Sequence, residues 1–241
     1  MLGRDIIKNP NLWLRAKIGF TLAEVLITLG IIGVVAALTI PTLLSKVSDL
    51  QFKSAWKKEY SAFADIAEQI LDENGGIFSG LLKDGETIDI NMNDVFEKYL
   101  NIRTSCHTLA ITGKGICWHE DSDWSYLNKG TIQEKDGHAT GVDNNLLYGA
   151  PGGEVLADGT LVRYLCYECD QATGYCGYIL FDVNGFKKPN VIGKDIFGVS
   201  AFLNKIVPFG SPVVDGGIRA EGTVCDPAGE GFPCSATALY N

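Results

Sequence analysis

The sequence has few of the residues on which common catalytic sites depend. Its 241 residues include only three histidines, His107, His119 and His138, and they form no recognisable arrangement with a nucleophile. A Gly-x-Ser-x-Gly motif and a phosphate-binding glycine loop are both missing. Basic residues are also scarce, since 20 Lys and Arg residues stand against 29 Asp and Glu residues and the net charge is −9. We therefore expect a protein that is not an enzyme and that binds no nucleic acid.

Charged residues are wholly absent from one long segment, Val25–Leu44. As a helix it would be about 30 Å long, which is the thickness of a bilayer core. The alternatives are a buried helix of a soluble enzyme and a cleavable secretory signal. The basic leader of such a signal is present, in Arg4, Lys8, Arg15 and Lys17, but the apolar run is too long and no Ala-x-Ala cleavage site follows it. The segment is therefore predicted to span a membrane.

The residues that precede this run resemble a known processing site. The stretch Gly19-Phe20-Thr21-Leu22-Ala23-Glu24, followed by the apolar run, is similar to the cleavage site of type IV prepilins and type II secretion pseudopilins. This resemblance implies that prepilin peptidase cuts between Gly19 and Phe20 and then methylates the new Phe20 amine. It also implies a leader of residues 1–19, which is longer than the leaders of many type IV pilins.

Glu24 is a carboxylate at the start of an otherwise apolar run. Near the end of a membrane helix such a group costs up to a few kcal/mol unless it finds a partner. Cleavage after Gly19 would create a cationic amine on Phe20, with a reference pKa of about 8. In the family, the counterpart of Glu24 pairs with the N-terminal amine of a neighbouring subunit in the filament. We therefore interpret Glu24 as an assembly residue that sets register. The alternative is that its side chain extends to the lipid headgroups.

Beyond the membrane run the helix is predicted to continue to Asn74. Apolar residues recur at intervals of three and four positions through most of this stretch, and Gly75-Gly76 is a natural stop. Pro41 is expected to kink or locally melt the helix. The predicted organisation is a transmembrane half at residues 20–44, an extramembrane half at 45–75, and a C-terminal region at 76–241 that forms one globular domain with the extramembrane half.

The C-terminal region has the pattern of an antiparallel sheet. Asp158-Gly159 is a tight-hairpin signal between the apolar arms of Glu154–Val162. Gly177–Asp182 is typical of a buried strand, Ile196–Val207 predicts another, and a short helix is expected around Asp94–Leu100. Consecutive strands with short turns favour an α+β fold in which the long helix packs on an antiparallel sheet. Pilins have this architecture too, so the resemblance implies a pilin-like fold with disulfide-closed loops.

The seven cysteines all follow the membrane run. They are Cys106, Cys117, Cys166, Cys169, Cys176, Cys225 and Cys234. Disulfides are expected if this side of the membrane lies outside the cytoplasm, as the processing logic of the family implies. The pair Cys225–Cys234 is like the disulfide-bounded loop of many pilins, and Cys106–Cys117 is the next expected pair. A third pair is placed at Cys166–Cys176, which leaves one cysteine over.

The alternative uses of these thiols are metal binding and redox catalysis. Cys106-His107 and Cys117-Trp118-His119 bring two cysteines and two histidines into one stretch, and Cys166-x-x-Cys169 is a further ligand-like pair. A zinc site needs four converging ligands, and an oxidising compartment would favour disulfides instead. A thioredoxin-like enzyme is disfavoured because no β-α-β pattern surrounds Cys166.

Four oxygen-bearing side chains, Asp182, Asn184, Asn190 and Asp195, fall between two predicted strands. Calcium takes about six to eight oxygen ligands, and some pseudopilins bind calcium in a comparable loop. The EF-hand template is not met, since no Glu closes a loop of the required length. The alternative is that Asp and Asn cap turns by bonding to nearby backbone. Calcium is thus a candidate cofactor, and no other cofactor is expected.

These features together predict a structural subunit of a type IV pilus or type II secretion pseudopilus, and the long cysteine-rich C-terminal region favours a minor subunit. The expected partners are prepilin peptidase, other pilin or pseudopilin subunits and the inner-membrane assembly platform. We expect a single pass through the bacterial cytoplasmic membrane with the C-terminal domain outside the cytoplasm, and later a place in an extracellular or periplasmic filament.

The alternative function is a tip or adhesion subunit that binds a surface, a secreted substrate or DNA. The acidic and aromatic segment Trp118–Trp124 would suit such a contact if its tryptophans were exposed. More often, aromatic side chains in a segment of this kind are buried beneath a solvated loop.

Overall fold

The computed structural model describes residues 19–78, 95–106, 113, 115–120, 122–130, 153–166, 174–212 and 224–240. The chain divides into two compact units, residues 1–46 and residues 47–241. The predicted leader lies outside the described residues except for Gly19. The boundaries predicted at residues 19, 44 and 75 stay predictions.

The longest element is helix α1, Leu22–Glu73. It is continuous through Pro41, so the local melting predicted there is wrong. The hydroxyls of Thr39 and Thr42 donate to the backbone carbonyls of Val35 and Thr39, at 2.9 and 2.8 Å. Pro41 lacks the N–H that would bond the Ala37 carbonyl, and these hydroxyls bond other carbonyls close to it. The predicted kink stays a prediction.

In the first unit the apolar side chains of α1 lie on its surface. Leu26, Ile27 and Leu43 are each 62% exposed, and Leu38 is 71% exposed. This part of the helix is long and apolar enough to cross a membrane. Its own apolar side chains lie on all sides of the helix, whereas a helix on the surface of a soluble domain has an apolar stripe on one side only.

In the second unit α1 has one buried stripe. Its buried residues recur every three or four positions, as packing on a single face requires. They are Trp56, Glu59, Phe63, Ala67 and Ile70. The helix ends where the sequence predicts, because Gly75 and Gly76 take φ angles of 74° and 90° that favour glycine.

Within the described residues, six antiparallel strands form one sheet in chain order. The strands are β1 Ile102–Ser105, β2 Glu154–Leu156, β3 Leu161–Cys166, β4 Tyr175–Asp182, β5 Ile196–Phe202 and β6 Lys205–Pro208. The α+β class is therefore confirmed. The predicted hairpin at Asp158-Gly159 joins β2 to β3, and Gly159 takes a φ of 96°. The single strand expected over Ile196–Val207 is in fact two, β5 and β6, joined by a turn at residues 203–204.

The sheet is buried on both faces, which explains why β4 reads as a continuous apolar run. Ile179 and Phe181 belong to the core cluster of α1, which contains Trp56 and Phe63. The alternate residues of β4 belong to a second core cluster. Its buried members are Trp118, Trp124, Tyr126, Leu161, Tyr178, Leu180, Ile192, Ile196, Phe209 and Phe232.

Two short elements differ from expectation. Helix α2, Cys234–Tyr240, was not predicted, and it is held to β5 by a hydrogen bond from Gly198 N to Ser235 Oγ at 3.0 Å. The helix expected around Asp94–Leu100 is smaller than predicted in its described part, where only Val95 and Phe96 are helical and a turn follows. Phe96 is fully buried in the α1 core, so tertiary packing rather than helix length holds this segment.

Candidate functional sites

Helix α1 begins with a capping box formed by Thr21 and Glu24. The Thr21 N–H and hydroxyl both donate to Glu24 Oε2 at 2.8 Å, and Glu24 N donates to Thr21 Oγ1 at 3.2 Å. The two side chains thus bind backbone N–H groups that the first turn of a helix leaves without partners. Glu24 therefore has a local role that the sequence analysis missed, although the spacing Thr-x-x-Glu is a recognised signal for it.

The predicted cleavage site lies immediately before this capping box. Gly19 and Phe20 are outside the helix, and Phe20 is 87% exposed. Exposed backbone outside regular structure is where proteases cut most readily. Both side-chain hydrogen bonds of Glu24 use Oε2, and no donor within the described residues bonds to Oε1. One carboxylate oxygen thus remains available to a cation without disturbing the capping box.

Two disulfides join the first two cysteine pairs that the sequence analysis named. Cys106 is bonded to Cys117, and Cys225 is bonded to Cys234 at the start of α2. Because Cys106 and Cys117 are bonded to each other, the zinc site that would have used both thiolates is excluded. Cys176 is also in a disulfide, but its partner lies outside the described side chains. The Cys166–Cys176 pairing therefore stays a prediction, and Cys169 and His107 lie outside the described residues.

Asp182 closes strand β4 and is fully buried. Its Oδ1 accepts the N–H of Asn184 at 3.1 Å, and its Oδ2 lies 2.7 Å from Nε2 of the buried His119. Burial raises the pKa of Asp182 to about 7 against the opposing hydrogen bond with His119, and the Asp195 carboxylate adds to the rise. His119 was not predicted as a member of this site, because 63 positions separate it from Asp182 and no local spacing reveals the contact.

Asp195 closes the other end of the β4–β5 loop and is also fully buried. Its two carboxylate oxygens accept the N–H groups of Val191 at 2.7 Å and Asn190 at 2.8 Å. Burial raises the pKa of Asp195, although these two hydrogen bonds oppose the rise. Asn190 has a φ of 55°, which Asn adopts more readily than most residues, and its Nδ2 donates to the Asp123 carbonyl at 3.0 Å.

The loop brings the four predicted oxygen ligands together. The Asn184 N–H donates to Asp182, and its side chain opposes the rise in the pKa of Asp195. The Oδ1 atoms of Asn184 and Asn190 are buried without a hydrogen-bond donor in the described residues. Carboxylate and amide oxygens of this kind suit calcium. However, all four carboxylate oxygens of Asp182 and Asp195 already have a protein hydrogen-bond partner. Within the described part of the chain, no group of three or more His, Cys, Asp or Glu residues is arranged to hold a metal ion. The cluster thus accounts for the folding of the loop, and calcium binding stays a prediction.

The acidic and aromatic segment does not expose its tryptophans. Trp118 and Trp124 are 2% and 3% exposed and meet edge to face at 5.7 Å in the second core cluster. The buried arrangement that is more common for such a segment is therefore confirmed, and these two side chains form no exposed contact surface. Their large apolar rings instead cover the face of the sheet opposite α1. Glu120 and Asp123, which lie between them in the sequence, remain exposed.

No protein-family model, no curated protein and no solved structure matches the chain. The class of the protein therefore rests on its own residues. These define an α+β protein with a long N-terminal apolar helix, a six-stranded antiparallel sheet and disulfides.

Proposed function

We propose that this protein is a pilin-like subunit of a type IV pilus or a type II secretion pseudopilus. It is cut between Gly19 and Phe20 by prepilin peptidase and assembled through α1 by an inner-membrane platform. The observation that carries the proposal is the start of α1, where exposed residues 19–20 precede a capping box and then an exposed, uncharged helical segment. Cleavage there would place a new amine beside the Glu24 carboxylate that the capping box orients.

The exposed apolar surface of α1 supports a role in two environments. Before assembly, residues 20–44 cross the cytoplasmic membrane once, where lipid covers side chains such as Leu26 and Leu38. In the filament, the same side chains pack against those of other subunits. Because this segment is helical throughout, most of its backbone groups bond within the helix and need few partners from either environment; Pro41, which has no N–H, is the exception.

The second unit, residues 47–241, which we call the globular unit, supports the pilin-like part of the proposal. Its portion of α1 packs on an antiparallel sheet, and the Cys225–Cys234 disulfide closes a loop near the end of the chain. The Cys106–Cys117 disulfide favours a compartment outside the cytoplasm, where thiols oxidise. The length of this cysteine-rich unit favours a minor subunit, as the sequence analysis expects.

Glu24 has two roles in this mechanism, and substitution can separate them. Its Oε2 caps α1 through Thr21, and its Oε1 is available to the methylated amine of a neighbouring subunit. Gln also serves at this position of a capping box, so Glu24→Gln keeps the cap and removes the charge. Thr21→Val does the reverse, because it removes the capping hydroxyl and keeps the carboxylate.

The test is filament yield from cells that express each variant in place of the wild-type protein. We expect Glu24→Gln to lower the yield nearly as severely as Glu24→Ala, which also removes the cap, and Thr21→Val to lower it only slightly. Cleavage should be normal in all three variants and is checked by intact mass. Normal assembly of Glu24→Gln with poor assembly of Thr21→Val would mean that Glu24 only caps the helix, and the pairing with the amine would then be wrong.

The cleavage itself is tested by intact mass and N-terminal sequencing of protein isolated from its native cell. We expect a mature chain that begins at Phe20 and is heavier by one methyl group. A chain that still begins with the leader would indicate an ordinary membrane anchor. A chain that begins after Leu44 would indicate a secreted protein, and either result would overturn the proposed function.

A further inference from the structure

A groove with a volume of about 310 Å³ lies in the globular unit between α1, β5 and α2. Asp49 and Lys53 of α1 and Lys194 of the β4–β5 loop line its polar side, while Phe197 and Pro227 line its apolar side. The Cys225–Cys234 disulfide forms part of the wall, so one side of the groove is covalently fixed. The groove therefore combines two flexible cations with a rigid apolar wall.

The charges in this groove do not cancel. Lys194 Nζ lies 3.3 Å from Asp49 Oδ1, which neutralises one of the two lysines. Lys53 is exposed and makes no ion pair within the described residues. The groove thus has an excess positive charge, although the chain as a whole carries a net charge of −9.

The position of the groove along the chain indicates that it lies close to the end of the predicted membrane segment. Lys53 follows Leu44, the last residue of the predicted membrane segment, by nine residues. Even a fully extended chain of that length spans only roughly 30 Å, so the groove is tethered close to the membrane surface. Residues 45–60 hold four of the 20 Lys and Arg residues but only two of the 29 Asp and Glu residues, so the positive charge is concentrated at this tether.

We propose that this groove binds the anionic headgroup of a membrane phospholipid. Lys53 and Lys194 contact the headgroup phosphate, and the exposed Pro227 contacts the glycerol portion. The proposal rests on the membrane-spanning part of the proposed function, but not on cleavage or on filament assembly. A negative lipid surface attracts nearby basic side chains and repels the acidic remainder of the unit. Headgroup binding would therefore orient the globular unit before the subunit leaves the membrane.

The test uses full-length protein in nanodiscs of phosphatidylcholine, with and without phosphatidylglycerol, and measures amide hydrogen exchange. We expect slower exchange in the peptides that cover residues 49–57 and 190–198 when phosphatidylglycerol is present, and loss of this protection at high salt. Each of Lys53→Gln and Lys194→Gln should reduce the protection about fivefold, which corresponds to about 1 kcal/mol per basic residue near an anionic surface. Asp49→Asn should increase it, because the substitution frees Lys194 and removes the negative charge.

Lys98→Gln is the matched control, since Lys98 is exposed and does not line the groove. The proposal is overturned if exchange is the same in both lipid mixtures, or if Lys98→Gln reduces protection as much as Lys53→Gln. It is also overturned if inorganic phosphate protects the groove in phosphatidylcholine discs, which would indicate a free-phosphate site. Protection that depends on the number of copies per disc would indicate a second copy as the occupant. Failure of the protein to enter the discs would instead contradict the membrane span.

Discussion

The two units of the chain use the same helix in opposite ways. In the first unit α1 exposes its apolar side chains, and the polar groups bond within one turn, as Thr39 Oγ1 does with the Val35 carbonyl. In the second unit α1 buries a stripe, and its polar groups reach distant parts of the chain. Trp56 Nε1, for example, donates to the Ser235 carbonyl at 2.9 Å, across 179 positions.

This difference shows which half of α1 depends on the rest of the fold. The first half bonds its backbone within the helix except at Pro41, which has no N–H, and it leaves its apolar side chains exposed, as the proposed move from lipid to filament requires. The second half depends on contacts that only the folded sheet supplies, because its apolar stripe would otherwise face water. Substitutions in the two halves should therefore have very different effects on the stability of the globular unit.

The largest difference is expected between Phe63→Ala and Leu26→Ala. Phe63 is fully buried and contacts the rings of Phe181 at 4.6 Å and Phe96 at 5.5 Å. Its removal should lower the free energy of unfolding of the globular unit by about 3–5 kcal/mol. Leu26 is 62% exposed, and its removal should change this free energy by no more than about 0.5 kcal/mol.

Urea unfolding of the full-length protein in detergent micelles measures both effects. Tryptophan fluorescence reports mainly on the globular unit, because Trp56, Trp118 and Trp124 are buried there. Comparable destabilisation by Leu26→Ala would mean that the first half of α1 contributes to the folding of the globular unit. The contrast between the two halves would then be wrong.

The buried carboxylate of Asp182 should make the globular unit less stable as pH rises. Its pKa is raised to about 7 by burial, so the folded state holds a proton that the unfolded state releases above its model value of 3.8. The contribution of this bound proton to the free energy of unfolding is fully present below about pH 4 and is lost as pH rises through about 7. Asp182→Asn cannot titrate, and it should remove this part of the pH dependence, which is on the order of a few kcal/mol.

The measurement is urea unfolding of wild type and Asp182→Asn at a series of pH values between 4 and 8. The stability of the wild type relative to the variant should decline with increasing pH. The other ionisable side chains that act on the Asp182 carboxyl are His119, which bonds to it, and Asp195, which repels it, and both are retained in the variant. A relative stability that increases with pH would mean that Asp182 is ionised and paired with a charged His119.

The same distinction between local and distant contacts decides how much the sequence could predict. The length of α1, its glycine stop and the Asp158-Gly159 hairpin follow from short-range patterns, and the structure confirms them. The capping box was also within reach, because Thr21 and Glu24 are three positions apart. Glu24 was interpreted only through its charge, and the shorter-range explanation was overlooked.

The contacts that could not be predicted join residues far apart in sequence. His119 is paired with Asp182 by the packing of a long irregular segment on the sheet, which no local spacing encodes. Helix α2 was missed because its seven residues are too few to form a stable helix alone. Its burial, its disulfide at Cys234 and the bond to Ser235 supply the stability instead. The sequence revealed the oxygen-bearing side chains of the β4–β5 loop. It did not reveal that all four carboxylate oxygens of Asp182 and Asp195 form hydrogen bonds within the protein.

A small effect on the stability of the globular unit is expected at a polar contact on the surface of the second unit. Lys58 Nζ lies 2.6 Å from Asp158 Oδ2 at the β2–β3 turn and 3.0 Å from Glu59 Oε1. Partial burial raises the pKa of Asp158, but hydrogen bonds from Lys58 and Thr160 outweigh it and lower the pKa to about 2. The Lys58 side chain is 67% exposed and that of Asp158 is 40% exposed, so solvent screens this pair and its loss in Lys58→Ala should cost no more than about 1 kcal/mol.

Lys57 provides the matched control, because it is the next residue, is exposed and makes no ion pair within the described residues. Urea unfolding of Lys58→Ala and Lys57→Ala at low and high salt should show a small loss for the first variant only, and high salt should abolish it. Below about pH 2 the loss should also disappear, because Asp158 is then protonated. Equal effects of the two substitutions would mean that the Lys58–Asp158 contact adds nothing to stability. In the second half of α1, only the contacts of the buried stripe with residues distant in sequence would then contribute to stability.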